Sequence, residues 1–255
     1  MDLFKLPDTH ALRETISRTF LRALLSTPSG RAYVLTQAGV AESTDEGAMF
    51  DHIATRVDDP ALRKMVKKHA EDETLHAALF FACADRQGVA RPEIPDHLRV
   101  LQLLDARIGI FGRPVGTDQD VMRAYLVLQV IEERAVEQFS MIEPVMRRFD
   151  RESADVLAKI AEDERRHLLY CRAITKRYAP SEALRIQTLE ELREAEAHAF
   201  RDHQHSGLMY VLTTGLLPPA ARWFWKGAAQ VLARRDVLPY TRFHGTTTGD
   251  FALAA

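Results

Sequence analysis

Apolar residues recur at helical spacing along most of the chain, and no alternating run of strand type stands out. Leu12, Ile16, Phe20 and Leu24 form a stripe that predicts a first helix from about Thr9 to Leu25, broken by Ser26-Thr27-Pro28-Ser29-Gly30. A second helix is expected from roughly Arg31 to Arg56. After Val57-Asp58-Asp59, Pro60 opens a third that runs to about Arg86 and is closed by Gln87-Gly88. Pro92, Pro95, Gly109, Gly112, Pro114 and Gly116 punctuate the next stretch, which has room for a short apolar helix around His97 to Leu104. Two long helices follow, from about Asp118 to Arg148 with an interruption at Pro144, and from Arg151 to Tyr178. A charged helix from Ser181 to His203, an uncharged stretch from Ser206 to Ala221 and a short helix around Ala220 to Arg235 complete the pattern. The tail from Thr241 to Ala255 reads as irregular.

Helix, tight turn, helix, long connection, helix, tight turn, helix is the order of an all-α four-helix bundle with one long crossover. The bundle is expected over residues 31–180, with the crossover at about 87–118. Residues 1–30 supply an N-terminal helix packed on it, and residues 181–255 a C-terminal helical extension.

The bundle pattern carries an internal duplication. Ala70-Glu71-Asp72-Glu73-Thr74-Leu75-His76 and Ala161-Glu162-Asp163-Glu164-Arg165-Arg166-His167 share five of seven residues at an offset of 91 positions. The same offset relates Glu42 to Glu133, so each Glu-x-x-His follows a Glu by 31 positions. Residues three apart share a helix face. Those faces read Val66, His69, Glu73, His76, Phe80, Cys83 and Leu157, Ile160, Glu164, His167, Cys171, Ile174, which places charges inside apolar stripes. A buried charge is costly unless it is paired or metal-bound. Folded about turns near Asp58 and Asp150, all six positions lie 14–18 residues from their turn, at one height. Glu42, Glu73, His76, Glu133, Glu164 and His167 therefore form the ligand set with which four-helix bundles hold a pair of iron or manganese ions.

Neighbouring residues refine this set. Glu132 competes with Glu133, because it shares an apolar face with Tyr125, Leu128 and Phe139; the repeat offset favours Glu133. Asp72 and Asp163 are duplicated too, and are placed to accept the free ring N–H of the histidine in the opposite half. Glu46 and Glu137, one turn beyond Glu42 and Glu133, are expected as further ligands or as supports behind them. His69 reads as a buried polar group rather than a ligand, since its partner at the repeat offset is Ile160. His198, His203 and His205 lie near Glu194 but read as a solvated helix end.

Composition narrows the class. Of 255 residues 46% are hydrophobic and 27% charged, and the formal charge is −2, which gives no sign of a DNA-binding protein. Only Cys83 and Cys171 are present, which excludes a rubredoxin or zinc-ribbon module and favours two buried thiols. Charges at Asp2, Lys5 and Asp8 interrupt the apolar residues of the N-terminus, so a cytoplasmic compartment is expected. The uncharged stretch is shorter than the ~20 residues of a spanning helix. Residues 206–226, with Trp223-Phe224-Trp225, are open to three uses: the wall of a substrate pocket, a homodimer interface, or contact with a membrane surface.

Taken together, these motifs resemble the ferritin-like di-iron carboxylate superfamily over about Arg31 to Tyr178. Asp163-Glu164-Arg165-Arg166-His167 is similar to the Asp-Glu-x-Arg-His box of the group containing soluble methane monooxygenase and the ribonucleotide reductase small subunit. Asp72-Glu73-Thr74-Leu75-His76 is the same box without the Arg. The resemblance implies two iron ions, with manganese or a mixed Fe/Mn pair as alternatives. It implies Glu42, Glu73 and His76 at one, Glu133, Glu164 and His167 at the other, and Glu73 and Glu164 as bridges. It further implies an oxidoreductase that activates O2 to hydroxylate or oxidise an organic substrate, supplied by an external electron donor. A ferroxidase or peroxidase like ferritin or rubrerythrin, and a metal-free helical adaptor, are the competing classes. About 75 residues beyond the bundle favour the oxygenase.

Overall fold

The computed structural model describes residues 9–43, 46–109 and 113–232, and among them all regular structure is helical. Helix α1 (Thr9–Leu25) is followed by α2 (Pro28–Glu42), α3 (Glu46–Arg56) and α4 (Pro60–Asp85). The connection carries a 3-10 turn (Asp96–Leu98) and α5 (Val100–Ile108). Then come α6 (Asp118–Met146), α7 (Arg151–Tyr178), α8 (Glu182–Thr213) and α9 (Pro219–Leu232).

Local chemistry sets most boundaries. Thr27, Asp59, Asp150 and Ser181 each accept a hydrogen bond from a first-turn backbone N–H of the helix they open, and Thr117 with Asp120 forms a capping box. Three expected features are corrected. The helix drawn from Arg31 to Arg56 is two helices, because α2 stops at Glu42 and Ser43 closes its last turn on the Gly39 carbonyl. Pro144, by contrast, does not interrupt α6, which runs two residues past it. The charged helix α8 is also longer than its expected end at His203 and continues to Thr213.

Helices α2 and α4 pack as one hairpin and α6 and α7 as another, with α4 against α7 joining the two. Gly39 permits the close approach of α2 to α4, since a Cβ there would lie 2.8 Å from the Phe81 ring. Along the bundle the apolar core falls into two clusters. One contains Phe50, Val66, Tyr125, Leu128, Cys171 and Ile174; the other Leu35, Phe80, Phe139, Met146, Leu157 and Ile160. Following α4 from Val66 to Phe80, or α7 from Ile160 to Cys171, crosses a polar layer between them. Both cysteines are buried and free.

Outside the bundle, α8 lies across α5 and α6, and α1 packs on α6 and α2. A third apolar cluster ties the N-terminal helix to the C-terminal extension. Phe20 meets Trp225 edge to face at 5.2 Å, Tyr33 stacks on Tyr210 at 5.4 Å, and the Thr27 hydroxyl donates to the Leu216 carbonyl at 2.7 Å. The aromatic triplet of α9 divides: Trp225 is buried, whereas Trp223 and Phe224 are 81% and 59% exposed. Among the described residues, no helix is long and apolar enough to cross a membrane. Residues 241–255, read as an irregular tail, lie outside the described residues.

Candidate metal centre

Four helices deliver carboxylates and imidazoles to the polar layer. Glu42 comes from the last turn of α2, His69, Glu73 and His76 from α4, Glu132 from the middle of α6, and Glu164 and His167 from α7. Glu73, His76, Glu132, Glu164, His167 and His69 are all buried. His76 turns Nδ1 toward Glu164 at 3.2 Å and Glu42 at 3.5 Å. His167 turns Nδ1 toward Glu164 at 2.8 Å, Glu73 at 3.2 Å and Glu132 at 3.5 Å. Two groupings close enough to hold a metal ion result, Glu42 with Glu73 and His76, and His69 with Glu73, Glu132 and His167.

Behind the imidazoles sits a second layer. His167 Nε2 faces Asp72 at 3.3 Å and His76 Nε2 faces Asp163 at 3.4 Å, each across to the other half of the repeat. Arg166 donates to both, to Asp163 at 2.6 Å and to Asp72 at 2.9 Å, and Lys68 adds a further contact to Asp72. A carboxylate on Nε2 fixes the tautomer and leaves Nδ1 free for a cation.

Burial and crowding reshape the titrations. Burial, with Glu73 and Glu164 nearby, drives the Glu42 carboxyl well above its usual range. Burial and the charge of Glu132 push Glu164 up to about 7. Burial also works against ionisation of Glu132 and Glu73, but the neighbouring His167 and His69 imidazoles overcome it, holding Glu132 at about 2 and Glu73 well below the usual range. His167, although desolvated, is raised by Glu132, Glu164 and Glu73. Protons on imidazoles and carboxyls thus do the neutralising that a cation would do.

The donor set fits metal ions. Glu73 Oε1, Glu164 Oε1 and His76 Nδ1 are buried without a well-formed hydrogen bond, and all three point into the layer. Such orphaned atoms are costly unless something else satisfies them. Carboxylate oxygen and imidazole nitrogen suit iron, manganese and zinc.

Five of the six expected ligands, Glu42, Glu73, His76, Glu164 and His167, converge, and Asp72 and Asp163 stand where expected. Glu133 does not join them. Its carboxylate takes a two-pronged ion pair from Arg193 of α8, at 2.7 and 2.9 Å, and a hydrogen bond from Gln129 at 2.9 Å. Glu132 occupies the layer instead. The repeat offset misleads by one residue because α8 has no counterpart in the first half, and its Arg193 claims the acid at 133. The signal in the sequence that points to Glu132 in this layer is the apolar face it shares with Tyr125, Leu128 and Phe139. Glu137 is half-buried and outside both groupings, and the side chain of Glu46 lies outside the described residues. His69, set aside for want of a repeat partner, is part of the cluster. His198, His203 and His205 form no such group among the described residues.

A cavity of about 460 Å³ reaches the layer at Glu42, Glu73 and Glu132. Its walls come from α1, α2, α5, α6, α8 and α9 and are mainly apolar, with Phe20, Phe139, Leu208 and Trp225 among them. The buried Arg134–Glu196 ion pair (2.7 Å) is part of its polar lining, along with His203, Gln37, Arg99, Gln138 and Gln204. Compared with known protein families, curated proteins and solved structures, the chain matches none. The centre is defined by its own geometry: a buried His/Glu group that could hold a metal ion, carried on helices.

Proposed function

We propose that this chain is a ferritin-like di-iron carboxylate oxidoreductase that activates O2 to hydroxylate or otherwise oxidise an organic substrate. The observation that carries the proposal is the junction of two features. Four carboxylates and histidines backed by aspartates share one buried layer, and that layer forms an end of an apolar cavity.

Glu42, Glu73, His76 and Glu164 would hold one ion, and Glu73, Glu132, Glu164 and His167 the other, with Glu73 and Glu164 shared. Two iron ions there supply the redox capacity to reduce O2 with electrons from an external donor. The protein's own part is orientation and exclusion. Asp72, Asp163 and Arg166 lock both imidazoles, the two apolar clusters keep water from the layer, and the cavity positions a substrate of mainly apolar character beside Glu42, Glu73 and Glu132. A volume near the lower half of the usual ~300–1,000 Å³ range suits a small molecule better than a polymer.

Anaerobic Fe(II) loading followed by O2 exposure, read by metal analysis and Mössbauer spectroscopy, tests the proposal. Two irons per chain, oxidised together by O2, is the expected result. Continued iron oxidation into a mineral core would replace this reading with iron storage, and absence of metal uptake would leave a helical adaptor.

A further inference from the structure

We infer that His69 is a third imidazole ligand, so that the two metal positions are chemically unequal, the one at His167 being rich in imidazole and the one at His76 rich in carboxylate. This rests on the di-metal reading above and adds a residue that the duplicated motif does not contain.

His69 precedes Glu73 by one helical turn on α4 and is fully buried. Its ring stacks on that of His167 with centroids 4.0 Å apart and planes at 29°. Nε2 of His69 lies 2.7 Å from Glu132 Oε1 and 3.2 Å from Glu73 Oε1. Nδ1 of His167 lies 3.5 and 3.2 Å from the same two oxygens. Two imidazole nitrogens and two carboxylate oxygens therefore face one point, all four within 4.8 Å of one another. Donors at about 2.1 Å from a divalent ion stand roughly 3–4 Å from each other; three of these four spacings lie in that range, and the fourth, His69 to Glu132, is a hydrogen bond that a cation would replace. A histidine whose only task was to hold Glu132 would need one oxygen and no place beside the other three donors.

The opposite position has no such residue. The repeat partner of His69 is Ile160, buried in the second apolar cluster, and His76 is the single imidazole grouped with Glu42 and Glu73. Imidazole suits iron, copper, nickel and zinc, whereas carboxylate suits manganese and other hard ions. Filling is therefore ordered: the first Fe(II), Co(II) or Zn(II) enters the His69–His167 position, and the second enters the His76 position more weakly.

The test uses the full chain loaded with one equivalent of Zn(II) and examined by X-ray absorption, which counts imidazole rings on the ion. Two imidazoles are expected; one imidazole overturns the assignment. In parallel, anaerobic Co(II) titration compares wild type with His69→Gln, which keeps a hydrogen-bond donor beside Glu132 but removes the imidazole. Loss of a hydrogen-bonding support behind a metal costs about 10–100-fold in affinity and should be largely rescued by Gln. Loss of a ligand is not rescued, so the tight step is expected to weaken more than a hundredfold while the weak step stays in place. Superimposable titrations would show that His69 serves only Glu132. A wild-type chain that binds no divalent ion would defeat the di-metal reading itself.

Discussion

Glu132 and Glu133 are adjacent acids in different surroundings, and exchanging each for glutamine tells which of them a metal ion needs. Arg193 is buried and donates two charge-assisted hydrogen bonds to Glu133. Removing one partner of a buried ion pair costs about 3–5 kcal/mol, mostly because the remaining charge is stranded. Arg193 keeps a bond of 2.8 Å to the half-exposed Glu190, which softens the loss toward about 3 kcal/mol. For a chain of this size 1 kcal/mol moves the melting midpoint by roughly 2–4 °C, so Glu133→Gln should lower it by about 6–12 °C. The same variant should still bind two metal ions. Glu132→Gln should lose the ion at His167, and its metal-free protein should also melt below wild type, because the buried imidazoles of His69 and His167 lose their carboxylate partner. Calorimetric melts of metal-free protein, paired with metal analysis after anaerobic loading, read both quantities. A Glu133→Gln protein that melts normally but has lost one ion would refute the reasoning, as would a Glu132→Gln protein that still binds two.

Three further outcomes are expected. Metal binding should release protons and tighten as pH rises from 6 to 8. Glu42 and Glu164 have raised carboxyl pKa values, Glu164 at about 7, and the imidazoles are raised too, so a cation must displace protons held at neutral pH. Calorimetry in buffers of different ionisation enthalpy measures this, and a pH-independent affinity with no proton release would contradict it. Arg166→Lys should weaken metal binding by roughly 10–100-fold, because a lysine cannot bond Asp72 and Asp163 together as the guanidinium does; dialysis against a competing chelator reads it. Gly39→Ala should destabilise the protein by about 1 kcal/mol through contact with the half-buried Phe81 ring, and Phe81→Leu should relieve most of that loss in a denaturant titration.

Much of the bundle was legible because its information is local. Asp59-Pro60, Thr117 with Asp120, and Asp150 each mark a helix start through a side chain bonding its own backbone, and α1 and α7 fall on their expected residues. The faces of α4 and α7 followed from spacing alone, since Glu73 with His76 and Glu164 with His167 sit one turn apart in apolar stripes. The end of α2 at Glu42 was less visible, because a residue such as Ser43 is tolerated on an exposed helix.

What the chain alone determined is therefore a set of side chains and the helices that carry them: acids and imidazoles at turn spacing, duplicated, inside a core. What packing decided is which of two neighbouring acids faces that core, and what stands beside it. Adjacent residues on a helix point about 100° apart, and a repeat offset cannot distinguish them when one half alone receives α8 and its Arg193. His69 belongs to the same lesson. It lies on the right face of α4, but its part in the layer depends on Glu132 and His167 reaching it from α6 and α7, contacts that exist only once the two hairpins have closed on each other.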